Sequence, residues 1–184
     1  MEESRATKKC TGFLAFFLGF VVSCAFLWVA FPKVIYSEKK QPIRFSHKIH
    51  KEKAGMECSA CHFFRDDGSY AGLPTSEKCG ECHADVINPE DKDEVKFVTE
   101  YVKKGKEVPW LIYQYQPDNV FFSHKAHDGQ DCVTCHPAVG ESDTPPAHKE
   151  NILSGYSAST MRMYQCERCH AENNVSNACY VCHK

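Results

Sequence analysis

Five Cys-x-x-Cys-His frames, one 21-residue run without charge and only 153 residues beyond that run point to a single kind of fold. It is a fold of loops and short α-helices packed around c-type haems, with one N-terminal transmembrane helix and little or no β-sheet. The frames are Cys58-Ser59-Ala60-Cys61-His62, Cys79-Gly80-Glu81-Cys82-His83, Cys132-Val133-Thr134-Cys135-His136, Cys166-Glu167-Arg168-Cys169-His170 and Cys179-Tyr180-Val181-Cys182-His183. With 12 Cys and 10 His among 184 residues, a shuffled chain would hold roughly 0.04 such frames, so chance is excluded.

The spacing has a mechanical reason. Two thiols three positions apart can add to the two vinyl groups of one haem, and the next residue, His, can ligate the iron of that haem. Zinc knuckles and thioredoxin-like redox pairs also use Cys-x-x-Cys, but neither requires a His after every pair.

The charge-free run, Thr11 to Phe31, would make a helix of about 30 Å, the thickness of a hydrocarbon core. Arg5, Lys8 and Lys9 precede it, and the positive-inside bias keeps residues 1–10 in the cytoplasm and sends residues 32–184 to the periplasm. Ser23-Cys24-Ala25 offers two competing readings, signal-peptidase cleavage and lipidation at Cys24. Against both, the apolar run continues for seven residues past Cys24.

Five histidines remain after the proximal ligands His62, His83, His136, His170 and His183: His47, His50, His124, His127 and His148. One for each iron closes the count at bis-histidine ligation. Phe45-Ser46-His47-Lys48-Ile49-His50 and Phe122-Ser123-His124-Lys125-Ala126-His127 repeat at an offset of 77 residues. Each precedes at least two frames, so 45–83 and 122–170 read as an internal duplication. His148 has no such support, and Met161 or Met163, just before Cys166, competes for its place as a thioether ligand.

About 30 residues per haem is too few for a conventional aliphatic core, so the haems themselves are expected to form the core. The longest helix is expected from Pro89 to Gly105, where Val95, Val98 and Val102 recur at helical spacing, with a shorter one near Tyr164 to Ala171. Trp110, Tyr113, Tyr115, Phe121 and Phe122 form an aromatic linker expected to pack on haem faces.

Six-coordinate irons leave no site for substrate, so the chain reads as an electron-transfer subunit rather than a catalyst. A formal charge of −2 without basic clustering gives no warrant for nucleic-acid binding. Residues 33–184 carry 19 basic and 22 acidic side chains, and ten propionates would bring the domain to about −13, which favours a cationic partner. Asp85, Glu90, Asp91, Asp93 and Glu94 read either as a docking patch or as a solvated acidic face.

The anchor, the F-S-H-x-x-H segments, the linker Pro109-Trp110 to Pro117-Asp118, and Met161-x-Met163-x-x-Cys166 with a fifth frame behind it follow a familiar order. It resembles the multihaem cytochrome c subunit of alternative complex III and of the menaquinone reductase complex Qrc. The F-S-H-x-x-H segments are also similar to those of class III cytochromes c. The resemblance implies that His47 serves the haem of Cys58/Cys61 and His124 that of Cys132/Cys135, while His50 and His127 reach across to others.

The same resemblance implies partners: an integral membrane quinone-binding subunit, iron–sulfur and molybdopterin-oxidoreductase-like subunits, and a soluble basic periplasmic cytochrome c. It implies the inner membrane as location. Electron flow into menaquinone is the favoured direction, and the alternative is menaquinol oxidation as in alternative complex III. A stand-alone membrane-anchored quinol dehydrogenase is the third reading, although 26 residues separate Phe31 from Cys58 where such proteins start their haems sooner. Tyr164-Gln165 departs from the Gly-Trp expected in the alternative complex III branch. A sixth haem on a lone cysteine, Cys10 or Cys24, would find no histidine left.

Overall fold

The computed structural model describes residues 3–137 and 139–183. Helix α1 spans Glu3–Val34, and its stretch Gly12–Val34 has a mean hydropathy of 2.4 and no part buried against the rest of the chain. A fully exposed apolar helix of this length has only lipid or another protein to cover it. It continues three residues past Phe31, with Pro32 in its last turn rather than beyond its end. Pro32 costs little there, because only the one hydrogen bond from its own nitrogen is lost and the terminal carbonyls lack helical partners in any case.

Strand β1, Tyr36–Lys39, pairs antiparallel with β2, His148–Asn151, in the register Tyr36↔Asn151 to Lys39↔His148. Neither strand alternates apolar and polar residues, which is why this small sheet has no signature in sequence. Gln41 reinforces the closure: its Nε2 donates to Leu111 O at 2.7 Å and Pro146 O at 2.9 Å, and its Oε1 accepts from Leu111 N–H at 2.9 Å.

Every other helix is short. They are α2 His47–Glu52, α3 Ser76–Gly80, α4 Lys92–Phe97, α5 Cys132–Cys135, α6 Met163–Glu172 and α7 Cys179–Cys182, with 3₁₀ turns at Cys58–Ala60 and Lys125–His127. The helix expected over Pro89–Gly105 starts later, at Lys92, and changes to a π-turn over Val98–Val102. Asp91 caps it, its carboxylate accepting from Asp93 N–H at 3.0 Å and Glu94 N–H at 3.3 Å. The Asn88–Glu90 stretch stays outside because Glu94 draws the backbone N–H groups of Ile87 and Asn88 onto its carboxylate at 2.9 Å each. The π-turn puts Val98 inward with no exposure and sets Val102 against α3, where a Cβ at Gly80 would meet it at 3.1 Å.

Among the described residues the buried apolar side chains are Ile43, Val98 and Val108. The exposed area is 13,982 Å², against about 9,000 Å² for a folded monomer of this mass. The polypeptide therefore leaves its apolar surface for something else to cover, as the residue count per haem implied.

Asp91 gives a simple test of the local frame. Besides capping α4 it meets Arg44 at 2.5 Å. Burial opposes its charge, but the N–H groups of Glu94 and Asp93 and the Arg44 guanidinium hold its carboxyl below the usual range. Asp91→Ala is expected to cost ~1 kcal/mol in a guanidinium melt near neutral pH. Because the folded pKa is depressed, that stability is present above the ordinary aspartate pKa of about 3.9 and lost as pH falls through the lower folded value. The two melts should therefore converge in that acid range and nowhere above it.

Candidate haem-attachment site

Four of the five frames fold as a single turn closed by the same bond. His62 N–H donates to Cys58 O at 2.9 Å, His83 to Cys79 at 3.0 Å, His136 to Cys132 at 2.9 Å and His183 to Cys179 at 2.9 Å. The remaining frame lies within α6. One helical turn sets residues i and i+3 on one face, so each pair of thiols points the same way and the imidazole follows at its edge. None of the described cysteines forms a disulfide.

The duplicated segments share one local geometry. Phe45 stacks on His50 at 4.3 Å and meets His47 edge-on at 4.8 Å, and Phe122 stacks on His127 at 4.7 Å and meets His124 edge-on at 4.9 Å. His50 Nδ1 lies 2.8 Å from Ser46 O, and His127 Nδ1 2.8 Å from Ser123 O. The phenylalanine thus fixes two imidazoles at right angles, facing two different partners.

Those partners are motif histidines. Ring centres stand 6.0 Å apart for His50 and His83, 6.5 Å for His124 and His136, and 6.2 Å for His127 and His170. With imidazole nitrogen at ~2.0–2.1 Å from a metal and the ring centre roughly an ångström further out, two trans imidazoles stand about 6 Å apart. The gap in each pair is the width that one iron requires. His47 lies near His62, and burial first, then His62 and His50, hold its pKa down at about 4, which keeps the ring neutral, as a ligand must be.

The Nδ1 atoms are engaged in turn. His62 faces Gly72 O, His170 Ser176 O at 3.2 Å, His183 Asn119 O at 3.1 Å, and His136 both Tyr113 Oη at 3.1 Å and Gln114 Oε1 at 3.0 Å. Such bonds leave Nε2 as the metal-binding nitrogen and hold the ring plane. Tyr113 therefore bonds a motif histidine, a contact beyond the haem-face packing expected of the aromatic linker.

His83 differs, for its Nδ1 meets a carboxylate, Glu94 Oε1, at 3.2 Å. Burial works against the Glu94 charge, yet the backbone N–H groups of Ile87 and Asn88 and the His83 ring hold its carboxyl below the usual glutamate range. A carboxylate on Nδ1–H makes imidazole a more basic ligand and favours the ferric state. Glu94→Gln is accordingly expected to raise the midpoint potential of one haem and leave the others in place, checked by a spectroelectrochemical titration with EPR at each step.

The acidic run is mostly spoken for. Asp85 pairs with Lys103 at 2.8 Å, Asp91 and Asp93 with Arg44 at 2.5 and 3.8 Å, and Glu94 with His83. These carboxylates build the α4 corner, with Asp85 and Asp93 still open to solvent.

The fifth frame is arranged differently. Beside it opens a cavity of about 260 Å³ lined by Met161, Met163, Cys166, Cys179, Cys182 and His183 among others. His148, expected as a distal ligand, stands on β2 with Nδ1 2.7 Å from Ile112 O and Nε2 3.0 Å from Glu150 Oε2. Both its nitrogens are engaged by the chain itself.

Neighbouring frames follow a linear order. His83 meets His50, whose Phe45 touches His47 beside the first frame; His62 of that frame stacks through Tyr70, at 6.5 and 4.2 Å, onto His124 of the third. Phe122 carries His124 together with His127, which faces His170 of the fourth frame, and the fourth and fifth share the cavity. The order is second, first, third, fourth, fifth.

Alternative chemistries for the cysteine pairs meet physical objections. Burial pushes the thiols of Cys58, Cys61, Cys135 and Cys166 up, and Cys79 to about 11, whereas redox-active pairs need a lowered pKa. Among the described residues no three His, Cys, Asp or Glu side chains converge as a zinc site requires.

Residues 28–109, which hold the first two frames, match the class III cytochrome c family. The menaquinone reductase multiheme cytochrome c subunit of Nitratidesulfovibrio vulgaris is 56% identical to this chain over 193 aligned positions, covering 95% of this chain and 91% of its own length. The chain belongs to that multiheme cytochrome c family. Membership bears out the resemblance and the fold class, and implies covalently bound haem c. It leaves Glu94, Tyr70, Tyr113 and Gln114 as site residues that sequence reasoning missed. Glu94 sat in an acidic run and the others in aromatic or polar stretches, and no local pattern in either marks contact with a histidine.

Proposed function

We propose that residues 33–184 hold five haems c and conduct electrons between a soluble, basic periplasmic cytochrome c and the quinone-linked subunits of a menaquinone reductase complex. The observation that carries this reading is the set of histidine pairs at 6.0–6.5 Å, each in line for one iron. The relative's name supports the menaquinone link and the direction into quinone.

In this reading Cys58 and Cys61, Cys79 and Cys82, Cys132 and Cys135, Cys166 and Cys169, and Cys179 and Cys182 form the thioether bonds. His62, His83, His136, His170 and His183 are proximal ligands, and His47, His83's partner His50, His124 and His127 are distal. Met161, half-buried where Met163 is 66% exposed, completes the fifth site. Haem c supplies a one-electron couple without a proton. The protein's part is to hold ring planes, keep imidazoles neutral and space the sites so that each lies next to one neighbour on either side.

Helix α1 anchors the chain in the inner membrane with Arg5, Lys8 and Lys9 on the cytoplasmic side. Its run Thr11–Phe31 contains no carboxylate, imidazole, amine or guanidinium for quinone protons, so the quinone site belongs to a polytopic partner, accompanied by iron–sulfur and molybdopterin-oxidoreductase-like subunits.

Purification in mild detergent should bring those partners along, with haem–menaquinone exchange only in the assembled complex. An isolated subunit that oxidised menaquinol by itself would replace this reading with that of a quinol dehydrogenase.

A further inference from the structure

A turn beside the end of α1 carries two largely exposed aliphatic side chains, Ile152 and Leu153. Backbone N–H of Ile152 donates to Ile35 O at 2.8 Å, one residue past the helix, so the turn after β2 lies level with the helix end. The turn is closed on itself. Asn151 N–H bonds Tyr156 O at 2.9 Å, Gly155 N–H bonds Asn151 O at 2.8 Å, and Asn151 Oδ1 accepts from Leu153 N–H and Ser154 N–H at 2.9 and 3.1 Å. Gly155, at φ 70, permits the tight return, and the Tyr115 hydroxyl donates to its carbonyl.

Such a turn ordinarily carries polar side chains at its tip. Here the tip is Ile152 and Leu153, 59% and 76% exposed. Each backbone N–H from Asn151 to Tyr156 has a partner in the chain, which removes the donors' share of the cost of leaving water. We infer that the Ile152–Leu153 turn inserts into the lipid interface beside α1, as a second membrane contact that sets the tilt of the haem domain. The inference rests on α1 being the membrane helix.

Lipid is the occupant the geometry favours. The apolar tip is tied by its backbone to Ile35, one residue past α1, whose own apolar side chains are exposed, Trp28 by 85%, and Lys33 lies in the last turn of that helix, where an interfacial cation belongs. Two aliphatic side chains on a narrow turn give an insertion wedge, and too little area for a specific protein interface.

One consequence concerns electron flow. Tyr156, in the same turn, lines the cavity with Cys179 and Cys182. Insertion therefore seats the fifth frame at the membrane end of the row and leaves the second, with Glu94, at the end away from it.

Photo-crosslinking in native membranes tests this on the full-length, haem-loaded chain in its complex. Benzophenone side chains would replace Leu153, Trp28 and, at the second-frame end, Ile87, which is 67% exposed. After irradiation, mass spectrometry should find phospholipid adducts at 153 and none at 87. Adducts at 153 to protein alone, or none, overturn the inference. Alkaline carbonate extraction and the adducts at 28 check the anchor separately: a chain stripped from the membrane would sink the reading of α1, whereas a retained chain without lipid at 153 would sink only the turn.

Discussion

Replacing Cys132 and Cys135 together with serine is expected to lower the haem content from five to four per chain and to stop electron passage from one end of the domain to the other. The third frame is the middle of the observed order, with two frames on either side. Its His136 faces His124, which Tyr70 links to His62 of the first frame, and Phe122 couples His124 to His127 and the fourth. Removing a terminal haem shortens the row, whereas removing this one cuts it in two. Haem per polypeptide by pyridine haemochrome gives the first number. Stopped-flow mixing of the complex with a reduced soluble cytochrome gives the second: electrons should still enter, but menaquinone reduction should fall to background. Full menaquinone reduction in a four-haem variant would mean a different order. The matching Cys79→Ser, Cys82→Ser variant, which removes the haem at the far end of the row, controls for the structural loss of one haem, since few buried apolar side chains among the described residues exist to hold the fold without it.

The parts of the site legible in sequence are those whose chemistry is local. A thiol pair three positions apart followed by His is one helical turn, and in four of the five frames that turn is closed by a bond from His N–H to Cys O. The duplicated F-S-H-K segments were legible as a repeat, but the job of Phe45 and Phe122 was not, because stacking against one imidazole and edge contact with the other are visible only in three dimensions. The two strands are 112 residues apart from first to first and have no alternation to mark them. Glu94 is the sharpest case. In sequence it is one more acid among Glu90, Asp91 and Asp93, and only the backbone path over Ile87 and Asn88 turns it inward onto His83. His148 is the reverse case: arithmetic makes it the fifth spare ligand, and in three dimensions Glu150, two residues along the same strand face, meets its Nε2 at 3.0 Å.

Met161→Leu is expected to abolish the methionine–iron charge-transfer band and to lower the midpoint potential of one haem, while His148→Ala leaves both unchanged. A thioether donates less charge to ferric iron than imidazole does and so raises the potential of its haem. The fifth site would then be the most oxidising of the row, and electrons entering elsewhere would collect at the frame that shares its cavity with Tyr156. Leucine keeps the volume and the apolar lining of that cavity, so a changed spectrum reports ligation rather than packing. His148 is a test of the competing assignment because its role in the fold is modest: it bonds Ile112 O and Glu150 at the end of a two-stranded sheet. Were His148 the ligand, Glu150→Gln would tighten its hold on iron by freeing Nε2, and His148→Ala would convert one six-coordinate haem to five-coordinate with a visible high-spin signal. With methionine as ligand that signal appears in the Met161 variant alone, and the four histidine-paired haems keep their potentials in both.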